Sequence, residues 1–100
     1  MQSYSSLIYI FLLSCIIFAP ALAIDGKCRA LVMSGGANKG AYQVGVIDSF
    51  VKHLPPEDIT YDVVAGASAG GLNAAGASLF APGDEKAMVD YLVNEVWSKV

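Results

Sequence analysis

The sequence has little basic charge, few cysteines and a single histidine. Of its 100 residues, 6 are Lys or Arg and 9 are Asp or Glu, which gives a formal net charge of −3. Because the basic residues form no cluster, the composition argues against a general binder of nucleic acid or of anionic membranes. His53, Cys15 and Cys28 do not supply the ligand set of a zinc site, so we expect no metal and no cofactor.

Charged residues are also missing from the start of the chain. An apolar run of about 12 residues spans 7–18, which is too short for a comfortable membrane span of about 20 residues. Ala21-Leu22-Ala23 follows and fits the cleavage pattern of a secretory signal peptide, although residues 1–6 carry no Lys or Arg. We therefore predict a signal peptide at 1–23 and a secreted or endomembrane-lumenal protein. The alternative is an uncleaved signal that anchors the protein in a membrane.

The remaining residues, 24–100, are few for a closed parallel α/β core. Apolar residues recur at helical spacing up to Val100, with no capping signal after them. We therefore predict that 24–100 is the N-terminal part of a longer domain. The residues at helical spacing are Met88, Val89, Leu92, Val93, Val96, Trp97 and Val100.

The order of elements in 24–100 is that of a βαβ unit followed by further helices. Its two strands should therefore be parallel and joined by a right-handed crossover. Cys28 is expected to fall in a buried strand and to be a buried, inert thiol, with a disulfide to a cysteine beyond residue 100 as the alternative. The predicted elements are a strand at 29–34, a glycine-rich loop at 35–40, a helix at 41–54, a strand at 61–65, a helix at 69–80 and a last helix after Asp84.

The stretch Gly66-Ala67-Ser68-Ala69-Gly70 lies between the second strand and the next helix. In this G-x-S-x-G pattern a sharp turn exposes the serine hydroxyl, and side chains at Gly66 and Gly70 would collide in the turn. A serine nucleophile further needs a base for its proton and donors for the oxyanion. The pattern predicts a serine hydrolase. A small residue in a tight turn is the alternative for Ser68.

The loop from Gly35 to Gly40 follows the first strand and is expected at the same sheet edge as Ser68. Ligands of open α/β sheets bind at that edge, and glycines let backbone N–H groups approach an oxyanion. Nucleotide-binding turns fit less well. The dinucleotide pattern needs glycine where Ala37 stands, and the P-loop pattern needs Gly-Lys-Ser/Thr, whereas Ala41 follows Gly40.

Together the two motifs resemble the patatin-like phospholipase family over roughly residues 27–100. The stretch 33–46 is similar to the family's oxyanion block, whose usual form is Gly-Gly-Gly-x-Arg-Gly, and 66–70 is similar to its nucleophile block. Ala37 stands in place of the third glycine and Lys39 in place of the arginine. The resemblance implies a three-layer α/β fold with a mostly parallel sheet, of which this chain carries only the first βαβα portion.

The resemblance also implies a metal-independent lipid acyl hydrolase with a Ser-Asp dyad, acting at a membrane or lipid-droplet interface. Ser68 would be the nucleophile, and the base aspartate would lie in an Asp-Gly-Gly or Asp-Gly-Ala motif that is not found before Val100. The oxyanion hole would comprise Gly35, Gly36, Ala37 and Gly40, with the N–H groups of the first three as donors. The nucleophile elbow would comprise Gly66, Ala67, Ala69 and Gly70.

Two other functions remain open at this point. One is a non-catalytic lipid-binding or storage protein on the same fold, and the other is a serine hydrolase with a downstream acid and histidine. The sequence beyond Val100 would discriminate among them. His53 is expected to be a solvated residue at a helix end, Asn73 a hydrogen-bonded residue in an apolar helix, and Trp97 a core or domain contact.

Overall fold

The computed structural model describes residues 4–10 and 25–100 of the chain. Residues 4–10 are helical, and the rest of the predicted signal peptide lies outside the described residues. Within these two ranges, no helix combines the length and the apolar character needed to cross a membrane.

The sheet consists of two parallel strands in the described part of the chain. Strand β1 spans Ala30–Met33 and β2 spans Val63–Gly66. Their register pairs Ala30 with Val63 at one end and Met33 with Gly66 at the other. The parallel pairing confirms the predicted α/β class, and it brings the residues that follow Met33 and Gly66 to one edge of the sheet.

Helices connect and follow the two strands. Helix α1 begins two residues earlier than predicted, and α3 ends at Ala77 because Ser78 and Leu79 already form a turn. Pro56 occupies the first turn of the short α2, where its missing N–H costs no helical hydrogen bond. The helices are α1 at Lys39–His53, α2 at Pro56–Ile59, α3 at Ala69–Ala77 and α4 at Glu85–Tyr91, followed by a π-helical turn at Leu92–Val96 and a 3₁₀ turn at Trp97–Lys99.

The core lies where α1, α3 and α4 meet. Small residues of α3 let this helix approach both strands and α4 closely, and a Cβ on Gly76 would stand 2.6 Å from Leu92 Cδ2. Leu92 and Val44 are the largest fully buried aliphatic side chains. Burying a side chain of this size typically contributes about 1.5–3 kcal/mol. The buried cluster comprises Met33, Val44, Ile47, Ala74, Ala77, Met88, Val89 and Leu92.

Two predictions about this fold are wrong. Cys28 is exposed rather than buried, because β1 begins only at Ala30. Regular helical spacing does not continue to Val100: the α-helix gives way to the wider π turn at Leu92, which displaces the residues after it around the helix axis. Val93 and Val100 are exposed.

Candidate active site

Ser68 occupies a strained turn between β2 and α3. Its φ of +52° and ψ of −122° lie in a sparsely populated backbone region. A Cβ on Gly66 would stand 2.1 Å from the carbonyl oxygen of Gly70, and one on Gly70 would stand 2.2 Å from that of Met33. Only glycine fits either position, since a side chain would overlap backbone atoms. These close approaches hold the turn, whose strain costs on the order of 1–3 kcal/mol.

The Ser68 hydroxyl is exposed and makes no hydrogen bond to any described residue. Ser68 is the residue before α3, yet its side chain does not cap the helix, and only its carbonyl oxygen accepts a bond, from the N–H of Leu72 at 3.0 Å. The N–H of Ala69, in the first turn, has no helical partner. The hydroxyl is therefore free to meet a substrate beside a helix N-terminus.

The glycine-rich loop folds into a tight turn that leaves its first N–H groups free. The N–H of Lys39 donates to Gly36 O at 3.0 Å, and the N–H of Gly40 donates to Ala37 O at 3.0 Å. Across the described ranges, the four consecutive N–H groups of residues 35–38 have no acceptor. Ala37 has a φ of +50°, and among the described non-glycine residues only Ala37 and Ser68 have positive φ. Such a run of free amides is suited to bind an anion.

The loop and the serine lie close together. A Cβ placed on Gly35 would stand 3.3 Å from Ser68 Cβ and 4.0 Å from Ser68 Oγ. The N–H of Ala67 donates to Met33 O at 3.1 Å, which extends the pairing of the two strands up to the turn. Sheet register therefore fixes the free amides of the loop beside the serine hydroxyl.

Gly40 has a different environment from the first three loop residues. It is buried at the start of α1, where a Cβ would stand 2.2 Å from Trp97 Cζ2. Its N–H is already bonded within the turn. The glycine is thus required for the packing of Trp97 over the loop, and its N–H is not among the free donors.

A buried hydrogen-bond chain joins α3 to the loop. Asn73, which is fully buried, donates from Nδ2 to Gly40 O and to Gln43 Oε1, both at 3.0 Å. Trp97 Nε1 donates to Asn73 Oδ1 at 2.7 Å, and Gln43 Nε2 donates to Ser34 O at 2.7 Å. The predicted hydrogen bond from Asn73 to the backbone is confirmed. Sequence reasoning missed Gln43, because its partners are distant in the chain and no local pattern marks them.

Several ionisable groups lie away from this edge. Arg29 donates to Asp25, with Nη2–Oδ2 at 2.9 Å, and this bond lowers the pKa of the Asp25 carboxyl to about 2. Burial, and then the charge of Glu85, raise the pKa of Tyr61, which lines a cavity of about 220 Å³ together with Glu85. His53 is exposed at the end of α1, about 20 Å along the helix from Lys39. None of these side chains hydrogen-bonds to Ser68.

The described residues contain no group of three or more His, Cys, Asp or Glu side chains that could hold a metal ion. What the edge offers is an exposed hydroxyl, a run of free N–H groups and a helix N-terminus. This arrangement can stabilise negative charge that develops on an oxygen next to Ser68 Oγ.

Comparison with known proteins agrees with the two motifs. The family model for patatin-like phospholipase matches residues 31–100, which include all of β1 but its first residue, the glycine-rich loop, the Ser68 turn and all the helices that follow. Neither the curated proteins nor the solved structures gave a match. Since the family model covers more than half of the chain, the protein belongs to the patatin-like phospholipase family, a family of lipid acyl hydrolases.

Proposed function

We propose that this protein hydrolyses lipid acyl esters with Ser68 as the nucleophile. The observation that carries the proposal is the closeness of two segments that each hold a strained residue, Ala37 and Ser68: a Cβ on Gly35, where the run of unpaired N–H groups begins, would stand 4.0 Å from the free hydroxyl of Ser68. Strain of this kind persists where the surrounding structure enforces it, and it is concentrated at functional sites.

In the proposed reaction, Ser68 Oγ attacks the carbonyl carbon of the ester while a base accepts its proton. The carbonyl oxygen becomes an oxyanion, to which the N–H groups of Gly35, Gly36 and Ala37 donate. The tetrahedral intermediate collapses, and the alcohol leaves with the proton from the base. Water then attacks the acyl-serine and releases the carboxylic acid, restoring Ser68. Each oxyanion donor is worth about 3 kcal/mol of the barrier.

The base in this proposal is an aspartate outside the described residues. Ser68 Oγ has no hydrogen-bond partner in 4–10 or 25–100, and His53 lies at the far end of α1. A Ser-Asp dyad, as the family resemblance implies, would be completed by an aspartate that approaches the open side of the turn. The exposure of Ser68 is compatible with such an approach.

We also propose that the substrates are acyl esters presented at a membrane or lipid-droplet surface, in the secretory pathway. The support for the location is the apolar segment that precedes Asp25, with its Ala21-Leu22-Ala23 site. The alternative is attachment to the membrane through an uncleaved signal.

The proposal is tested by the hydrolysis of micellar short-chain and long-chain acyl esters. Ser68→Ala should lower the rate at least 10³-fold, while Ser78→Ala should leave it unchanged. Ser78 is a matched control because it ends the same helix and its hydroxyl bonds only to Ala75 O, at 2.7 Å. Equal rates for the wild type and Ser68→Ala would contradict the proposal. If the wild type binds lipid vesicles without any hydrolysis, the protein is a lipid-binding member of the fold.

A further inference from the structure

The peptide group between Ser34 and Gly35 is held through its carbonyl oxygen. Gln43 Nε2 donates to Ser34 O at 2.7 Å. In a trans peptide the C=O and N–H point in opposite directions, so a bond that fixes the Ser34 carbonyl also fixes the direction of the Gly35 N–H. Gly35, on one side of this peptide, offers little steric resistance to its rotation. Among the described residues, Gln43 makes the one hydrogen bond to the Ser34 carbonyl, so the orientation of the peptide depends on it.

The Gln43 amide is oriented in turn by Asn73. Asn73 Nδ2 donates to Gln43 Oε1 at 3.0 Å, so the Gln43 amide must present Nε2 to Ser34. If the amide were reversed, two N–H donors would face each other at one end and two carbonyl oxygens at the other. Trp97 Nε1 donates to Asn73 Oδ1 and fixes that amide in the same way.

We propose that Gln43, oriented by Asn73 and Trp97, is a positioning residue that keeps the Gly35 N–H directed at the oxyanion. The inference rests on the proposed function, because the direction of this N–H affects catalysis only if Ser68 attacks an ester. Gln43 itself touches neither the substrate nor the reacting atoms. It acts through the Ser34–Gly35 peptide group.

The most direct test is Gln43→Glu, which keeps the shape of the side chain. The carboxylate still accepts from Asn73, but it presents an oxygen to Ser34 O and favours a rotated peptide that offers it the Gly35 N–H. Loss of one oxyanion donor lowers kcat about 10²- to 10³-fold. We expect kcat to fall about 100-fold with KM within about twofold of the wild type. Gln43→Met, which removes both bonds without adding charge, should lower kcat less, about 10-fold.

Three further variants separate positioning from simple stabilisation. If Gln43 is a positioning residue, the loss in kcat becomes smaller with each step along the hydrogen-bond chain: it is largest for Gln43→Glu, smaller for Asn73→Asp and smallest for Trp97→Phe. If the role were purely structural, the loss in kcat of each variant would instead follow the decrease in its melting temperature. Asn73→Asp would then show the largest loss in kcat, because Asn73 is fully buried. Asn94→Asp is the matched control, since its Nδ2 donates to Asp90 O at 2.8 Å on an exposed helix face. It should leave kcat unchanged.

A crystal structure of Gln43→Glu tests the inference independently of activity. A Ser34 carbonyl rotated away from residue 43 supports it, and an unrotated peptide overturns it. If the wild type and Ser68→Ala show the same lack of hydrolysis, the proposed function fails. The orientation of the peptide in that crystal still decides whether Gln43 controls it.

Discussion

Gly35 and Ser68 lie close to each other at the sheet edge: a Cβ atom on Gly35 would be 3.3 Å from the Cβ of Ser68. This closeness follows from strand register, since Met33 pairs with Gly66 and each strand ends two residues before its site residue. The distance between the loop and the serine is therefore set by the sheet.

The closeness of Gly35 to Ser68 predicts that Gly35→Ala lowers activity more than it lowers stability. The added methyl group would press on Ser68 and narrow the space between its hydroxyl and the free N–H groups. A displacement of about 1 Å at a reacting group can cost about 10²-fold in rate. We expect ester hydrolysis to fall at least 10-fold, with a loss in unfolding free energy of about 1 kcal/mol. A variant as active as the wild type would contradict the proposed geometry.

The glycines of the elbow should tolerate no side chain. Gly66→Ala and Gly70→Ala would overlap backbone carbonyl groups, so each should lower the free energy of unfolding by about 3 kcal/mol or more. Gly45→Ala is the control, because nothing lies within 4 Å of a Cβ there and the site is inside α1. It should stabilise the protein by about 0.5–1 kcal/mol. Urea denaturation of the three variants distinguishes these outcomes.

The positive φ of Ala37 predicts that glycine is the better residue at this position. Ala37→Gly relieves backbone strain and should raise the unfolding free energy by about 0.5–1 kcal/mol, even though glycine is more flexible in the unfolded chain. The same change at Ala75, an exposed position inside α3, should have the opposite sign and cost about 1 kcal/mol. Chemical denaturation measures both, and destabilisation by Ala37→Gly would contradict the strained conformation.

The Asp25–Arg29 pair predicts a contribution to acid stability. The pKa of Asp25 is lowered to about 2 in the folded protein, from an ordinary value of 3.8. Because the folded pKa is the lower one, the pair stabilises the protein above about pH 4, and this contribution is lost as the pH falls toward 2. The melting temperature of Asp25→Asn should therefore fall less than that of the wild type as the pH is lowered from 4 to 2. An equal fall in melting temperature for the two proteins over that range would contradict the assignment.

Much of this site could be predicted from local patterns. The turn at Ser68 follows from two glycines at fixed spacing, and the position of the loop beside it follows from the parallel βαβ order. These are short-range signals, and they require no knowledge of side-chain packing. The same kind of signal predicted both ends of α1 to within two residues.

Features that depend on contacts distant in the chain could not be predicted in the same way. The bond between Gln43 and Asn73 joins two helices, and the one between Trp97 and Asn73 depends on a π turn that no sequence pattern indicated. Cys28 was misassigned because strand pairing begins only at Ala30, two residues after it, and its neighbours Lys27 and Arg29 are charged.

The central claim is that Ser68 is the nucleophile, and covalent labelling tests it most directly. The protein is treated with a fluorophosphonate ester, digested, and the modified residue is identified by mass spectrometry. We predict a single adduct on the peptide that contains Ser68, which disappears in Ser68→Ala and persists in Ser78→Ala. An adduct on another serine, or equal labelling of the wild type and Ser68→Ala, would contradict the claim.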